Sequence, residues 1–225
     1  MMIVQDCGKY RIVTDTALSG RQIKQLKTGF DGGRLQQEQT DVLGGRSLVI
    51  RMNLTDVGPV VIKPYTRGGI IRRFNHRTYL RTGATRSCKE YALLGRLHVL
   101  GIRVPMPIAC AYEGKLLYHA WLVTREIQNA HTLAGLGGID PERCRRAMRD
   151  LGPQLSILIA NRILHVDLHP GNVLVDTNSR AFLIDFDKAR KWRWGSERLR
   201  RRYRNRWQRA VVKHGLPAIL NALPV

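Results

Sequence analysis

Acidic residues are scarce in this 225-residue chain: 17 Asp and Glu stand against 38 Lys and Arg, for a formal net charge of +21. That imbalance favours phosphate-rich partners, whether nucleic acid, anionic lipid head groups or phosphorylated glycans. Cysteine is sparse too. Cys7, Cys88, Cys110 and Cys144 are scattered, with no pair at the short spacing of a zinc knuckle or redox motif. They read as small buried hydrophobes of a reducing compartment. Long apolar runs are missing, since no stretch approaches the roughly 20 residues of a membrane span. Met1–Asp6 also lacks the basic start and apolar core of a signal peptide. The expectation is a soluble, cytoplasmic protein that meets a membrane only from its surface. Internal repeats and low-complexity linkers are absent. What is present is ordinary globular material, 44% apolar and long enough to bury a core in one domain or two small lobes.

The first half reads mainly as strands, at Ser47–Met52, Val60–Ile62, Ile108–Tyr112 and Leu116–Thr124. Glu113-Gly114-Lys115 predicts the turn between the last two, and Gly44-Gly45-Arg46 a tight turn ahead of the first. A helical pattern covers Thr85–Leu100 and stops at Gly101, with Pro105 and Pro107 beyond. The second half predicts helices at Asp140–Asp150 and Pro153–Ala160, then strands Val173–Val175 and Phe182–Ile184 around the turn Asp176–Ser179. A last helix runs from Ser196 to His214. Residues 1–40 carry little pattern. The fold class is α+β, a strand-rich part followed by a helical one.

On the Thr85–Leu100 helix, Glu90 shares a face with Leu93, Leu94, Leu97 and Leu100. A carboxylate on a buried stripe costs several kcal/mol unless paired. Lys63, ending the apolar strand Val60-Val61-Ile62, is the candidate partner. The alternative is that Glu90 reaches water and favours the helix dipole.

The most informative segment is His165-Val166-Asp167-Leu168-His169-Pro170-Gly171-Asn172, followed after a short strand and turn by Leu183-Ile184-Asp185-Phe186-Asp187. If the two strands pair as a hairpin, Asp185 returns to the level of Asn172. Two oxygen ligands then converge on one hard cation, which suits magnesium carrying nucleotide phosphates. Asp167 is left to accept a proton from an attacking hydroxyl. Any one of these residues alone reads as an Asx turn or loop cap; the three in this order do not.

His165, Asp167, Asn172 and Asp185 resemble the H-x-D-L-x-x-x-N and D-F-G elements of the protein-kinase superfamily. Lys63 is similar to its strand-three lysine and Glu90 to its helix-C glutamate, which favours a Lys63–Glu90 pair holding ATP. The resemblance implies a two-lobed fold, with an N-lobe over residues 1–125 and a C-lobe over 126–225. It further implies a phosphate-covering turn at Gly44 and Gly45, and adenine received near Thr124–Ile127. Within the superfamily the chain most resembles bacterial lipopolysaccharide core kinases of the 3-deoxy-D-manno-octulosonic acid (Kdo) kinase type. Tyr65-Thr66-Arg67-Gly68-Gly69, Tyr79–Gly83, Gly101–Pro107 and Leu183–Lys188 carry that likeness, with Asp187 where protein kinases have glycine. The implied reaction is ATP- and Mg2+-dependent phosphorylation of the Kdo 4-hydroxyl on a lipid A precursor, at the cytoplasmic side of the inner membrane.

Protein kinases follow the metal aspartate with a long activation segment and Ala-Pro-Glu. Neither is present here, so a compact acceptor is expected rather than a peptide. The last helix carries Leu199, Tyr203, Trp207, Ala210 and Val211 on one side, among Arg198, Arg200, Arg201, Arg202, Arg204, Arg206 and Arg209. It reads either as a packed helix with a solvated arginine face or as one drawn to an anionic inner-membrane surface. Arg67, Arg72, Arg73, His76, Arg77, Arg81, Arg86 and Lys89 form a second basic region, suited to the carboxylate of Kdo and the phosphates of lipid A. Nucleic acid is disfavoured there because aromatics are not interleaved as stacking platforms. The rival readings are a heptose or other small-molecule kinase, and a small atypical protein kinase associated with RNA.

Overall fold

The computed structural model describes residues 2–32, 37–42, 45–65, 79–80 and 83–225. From the N-terminus the chain runs through β1 (Ile3–Cys7), β2 (Tyr10–Thr14), α1 (Gly20–Asp31), β3 (Gln37–Val42), β4 (Gly45–Leu54) and β5 (Gly58–Pro64). It continues through β6 (Tyr79–Leu80), α2 (Arg86–Val99), β7 (Pro107–Glu113) and β8 (Leu117–Arg125). Two compact units result. One comprises Met1–Thr40, Arg46–Gly95 and Met106–Glu126; the other comprises Asp41–Gly45, Arg96–Pro105 and Ile127–Val225.

The first unit is built on a sheet of order β1-β2-β7-β8-β5-β4-β3, with β6 also pairing with β8. The hairpin turn predicted at Gly114 joins β7 to β8. Gly114 has φ 98°, and a Cβ there would lie 2.1 Å from the Leu117 carbonyl oxygen, so the turn requires glycine. Both central strands are buried at nearly consecutive positions, which requires cover on both faces. On one face Ala109, Ala111, Trp121, Val123, Val60 and Ile62 pack with Leu26 and Phe30 of α1. Tyr10, Phe30 and Trp121 form an aromatic cluster there, with centroids 5.1–5.5 Å apart. Cys110 points to the opposite face, where it is joined to Cys88 of α2 in a disulfide with Cα atoms 5.3 Å apart. The reading of all four cysteines as free is therefore corrected: Cys7 and Cys144 are free, and the other two are bridged. Helix packing on the sheet brings that pair together, which sequence spacing does not reveal.

β1, β2 and α1 lie in the N-terminal stretch that showed little pattern. The signal that marks α1 is the capping box of Ser19 and Gln22. α2 ends where expected. Gly101, at φ 79°, donates to the His98 carbonyl, and the Ile102 N–H closes back onto Leu97.

The second unit holds β9 (His131–Thr132), α3 (Leu133–Ile139), α4 (Pro141–Ala160), β10 (Ile163–Leu164), β11 (Val173–Val175), β12 (Ala181–Leu183), β13 (Arg190–Lys191) and α5 (Ser196–Lys213). The two helices predicted on either side of Gly152 are one: α4 continues through Pro153. Proline removes one backbone donor. Yet Cys144, Ala147, Met148 and Leu151 before it, and Leu155, Leu158 and Ile159 after it, form one buried stripe. Burying that stripe outweighs the lost bond. β11 and β12 pair antiparallel, Val173 facing Leu183, and β9 adds to the far edge of β11.

Candidate active site

Lys63 lies on β5 on the side opposite Val60 and Ile62, facing Leu122 of β8. Its Nζ is 3.3 and 3.4 Å from the two carboxylate oxygens of Glu90. Glu90 is buried, and the Tyr65 hydroxyl donates to its Oε2. Two donors, one on β5 and one just past its end, thus satisfy the carboxylate that helical periodicity left on an apolar stripe. The Tyr65 ring also lies 5.3 Å from Lys63 Nζ. Of the expected stripe, Leu94 and Leu97 are buried and Leu93 and Leu100 half-buried; Tyr91 completes it.

In the second unit the loop around Asp167 is fixed from several sides. His165 is buried against Phe186, ring centroids 4.4 Å apart, and its Nε2 lies 2.9 Å from the Ile184 carbonyl. Because a carbonyl only accepts, the proton sits on Nε2. Burial, only partly opposed by that carbonyl, holds the ring below its ordinary pKa. The His165 backbone N–H donates to the Tyr203 hydroxyl at 3.0 Å. His169 caps the single turn Pro170–Asn172 by accepting from Gly171 N at 3.1 Å. Burial and the charge of Arg206 push His169 down to about 4. Asn172 donates its side-chain amide to the Asp167 carbonyl at 2.9 Å, which leaves its Oδ1 as the available acceptor.

The Asp167 carboxylate is held by two cations. Lys188 Nζ is 3.2 Å from Oδ2, and an Arg206 nitrogen is 3.5 Å from Oδ1. Burial works to raise this carboxyl, but the Lys188 hydrogen bond and charge, with Arg206, outweigh it and keep it below the usual range. The β11–β12 hairpin brings the two expected metal residues to one end, where Ile184 N donates to the Asn172 carbonyl at 3.1 Å. Asp185, next along, has φ 65°, a backbone state shared with Asp56, Asn129, Arg162 and Ser179 that costs a non-glycine residue about 1 kcal/mol or more. The hairpin is anchored to α4. Buried Gln154 accepts from Arg103 N at 2.8 Å and donates to the Ala181 carbonyl at 3.0 Å, while Asp150 accepts from Ala181 N.

Among the described residues no cluster of three or more His, Cys, Asp or Glu side chains could hold a metal. The oriented Oδ1 of Asn172 and the carboxylate of Asp185 fit a smaller demand. Magnesium is commonly held by one or two protein oxygens and completes its shell with phosphates and water.

Of the other expected residues, Gly44 lies outside the described residues and Gly45 is the first residue of β4. Thr124 sits on β8 facing Val61, and Ile127 follows that strand. In the second basic region only Arg86 and Lys89 are described, and Arg86 lies 5.1 Å from the Tyr79 ring centroid. On α5, Leu199, Tyr203, Trp207, Ala210 and Val211 are buried within the unit, so this apolar side is not free to enter a bilayer. Among the described residues no helix is long and apolar enough to cross a membrane. Sequence reasoning missed Tyr65, Lys188 and Arg206. Tyr65 and Lys188 stand inside stretches already singled out; Arg206 was one arginine among many.

The model of the lipopolysaccharide kinase (Kdo/WaaP) family matches residues 34–221. The 3-deoxy-D-manno-octulosonic acid kinase of Vibrio cholerae is 30% identical over 173 residues, covering 73% of this chain and 72% of that protein. The enzyme of the same name from Actinobacillus succinogenes is 31% identical, covering 74% of each. That from Pasteurella multocida is 30% identical over 204 residues, covering 82% and 83%.

Proposed function

The chain belongs to the lipopolysaccharide kinase (Kdo/WaaP) family, whose fold is protein-kinase-like, and we propose that it transfers the γ-phosphoryl group of ATP to the 4-hydroxyl of Kdo on a lipid A precursor. The observation that carries this reading is Asp167, a half-buried carboxylate kept ionised by Lys188 and Arg206 on a loop locked by His165, His169 and Asn172.

Asp167 accepts the hydrogen bond of the acceptor hydroxyl and aims its oxygen at the γ-phosphorus. As the new O–P bond forms and the bond from phosphorus to the leaving ADP oxygen breaks, the hydroxyl proton passes to Asp167. A carboxylate of lowered pKa is a weak base, so most of its contribution is orientation. Phosphoryl transfer, with its loose transition state, demands little more. Lys63, held by Glu90 and Tyr65, binds the α and β phosphates. Asn172 and Asp185 would hold magnesium, which would supply positive charge to the nucleotide phosphates. Gly44, Gly45, Thr124 and Ile127 complete the nucleotide contacts in this reading.

The acceptor is lipid-anchored, and a net charge of +21 draws the chain to an anionic surface. The reading therefore extends to peripheral attachment at the cytoplasmic side of the inner membrane. The test is transfer from labelled ATP and magnesium to Kdo–lipid A, heptosylated lipid A and a generic protein offered side by side. Label on the Kdo glycolipid alone, lost in Asp167→Ala with nucleotide binding retained, supports the reading. Label elsewhere, or full activity in the variant, sinks it.

A further inference from the structure

Arg206 reaches Asp167 from α5, and Arg202 and Arg209 lie one turn to either side of it on the same flank of the helix. Arg198, Arg202 and Arg209 of α5 face a groove of about 730 Å³, whose other wall is Arg190, Trp192 and Trp194; Arg206 lies beside this row and does not line the groove. None of the residues lining the groove is acidic. Among the described residues Arg190, Arg198, Arg202 and Arg209 have no carboxylate partner. Cations gathered without counter-ions repel one another, so an anionic occupant stabilises such a groove.

The tryptophans make the groove more than a charge cluster. Trp192 is buried, donates to the Gly195 carbonyl at 3.2 Å, and carries Arg202 over its ring at 5.7 Å. Trp194 packs edge-on against it, centroids 4.7 Å apart, yet remains 54% exposed. A half-exposed indole ring beside arginine forks suits a sugar ring that bears phosphate groups. Successive nucleobases would need several open faces in a row. A bilayer would need an apolar side to insert, and that side of α5 is already buried.

Resting on the glycolipid reading above, we propose that this groove binds the phosphate-bearing sugar head of the acceptor and delivers it to Asp167. Arg198 and Arg202 grip phosphate, Trp194 stacks on a sugar ring, and Arg206, one helical turn from Arg202, ties this part of α5 to the loop of Asp167.

The experiment measures binding by tryptophan fluorescence at near-physiological salt. The full chain meets bis-phosphorylated Kdo–lipid A, or the same glycolipid without its phosphates, in neutral detergent micelles. The expected result is a preference of about tenfold or more for the phosphorylated form, because charge-assisted hydrogen bonds are strong enough to give it. Arg198→Ser/Arg202→Ser abolishes that preference, and Trp194→Ala weakens both forms alike. Both variants alter exposed side chains, so the fold survives. A double variant that keeps the preference overturns the proposal. So does equal competition by phosphatidylglycerol micelles, which marks a general membrane surface, or by an RNA oligomer. Turnover separates this from the function itself. Transfer to Kdo–lipid A with an unmoved glycolipid KM in the double variant refutes the groove and keeps the kinase. Phosphate-dependent binding without transfer keeps the groove and refutes the acceptor assignment.

Discussion

Lys188 Nζ stands 3.2 Å from Oδ2 of Asp167, so the carboxylate read as proton acceptor is tied to the strand end that carries Asp185. Asp167 stays ionised until pH falls through a value below the ordinary carboxylate range near 4. The acid limb of kcat should lie correspondingly low. Lys188→Met removes the strongest opposition to burial, and the limb should move to higher pH. An unmoved limb would show that Asp167 does not govern it.

Asp185 allows backbone and charge to be separated. Asn tolerates the left-handed region where Ala does not. Asp185→Asn should keep the melting temperature and lose nearly all transfer. Asp185→Ala should lose transfer and also about 1 kcal/mol of stability in urea melts. Equal stability of the two would mean that the φ of 65° carries no strain.

Glu90 accepts from both Lys63 and Tyr65. Breaking a fully buried pair costs about 3–5 kcal/mol; the Lys63 side chain is 24% exposed, so Glu90→Ala should cost about 2 kcal/mol. Tyr65→Phe retains the ion pair and should raise the KM for ATP several-fold with little loss of stability. Should Tyr65→Phe leave nucleotide kinetics untouched, the tyrosine serves packing alone.

The two histidines of the loop give a pH dependence of stability. Both are held neutral in the fold, His169 down to about 4, whereas unfolded histidine titrates near 6.5. Their contribution is complete above about 6.5. It is lost as pH falls toward the folded values, because the unfolded chain then binds protons that the folded loop refuses. Denaturant melts at descending pH should slope less steeply in this window for His169→Asn than for the parent. Parallel slopes would exclude His169 as a contributor.

The catalytic-loop pattern was legible because its chemistry is local. One short loop and a three-residue hairpin fix Asp167, Asn172 and Asp185 in sequence order, and Glu90 stood out as a charge on an apolar stripe. What escaped depends on contacts between distant segments. Lys188 and Arg206 reach Asp167 from further along the chain, and the Cys88–Cys110 bridge exists only because α2 packs on β7. α4 was split at Pro153 because a local rule about proline was applied where a continuous buried stripe overrides it. α1 escaped because its buried positions include Gln22 and Gly29, which no hydrophobicity scale marks as core. Gly29 is there because a Cβ would come within 2.6 Å of Ile62.

Asn172 and Asp185 lie at the open end of the β11–β12 hairpin, which His165 holds at Ile184 and Asn172 holds at Asp167, and the turn end is clamped as well. Asp176 accepts from Asn178 N and from Arg180 N and Nε, while Arg143 and Arg146 of α4 hold Val175, Asp176 and Ser179. The residues proposed to hold magnesium thus sit on a ladder about 10 Å long, braced partly where no substrate arrives. Asp176→Ala should loosen the mounting, seen as faster amide exchange at Asn172 and Ile184 and as lower kcat, although no catalytic atom has changed. Unaltered exchange at those amides would show the hairpin to be stiff in itself. In the proposed reading, the aim at the reacting phosphorus then depends on a surface turn as well as on the loop itself.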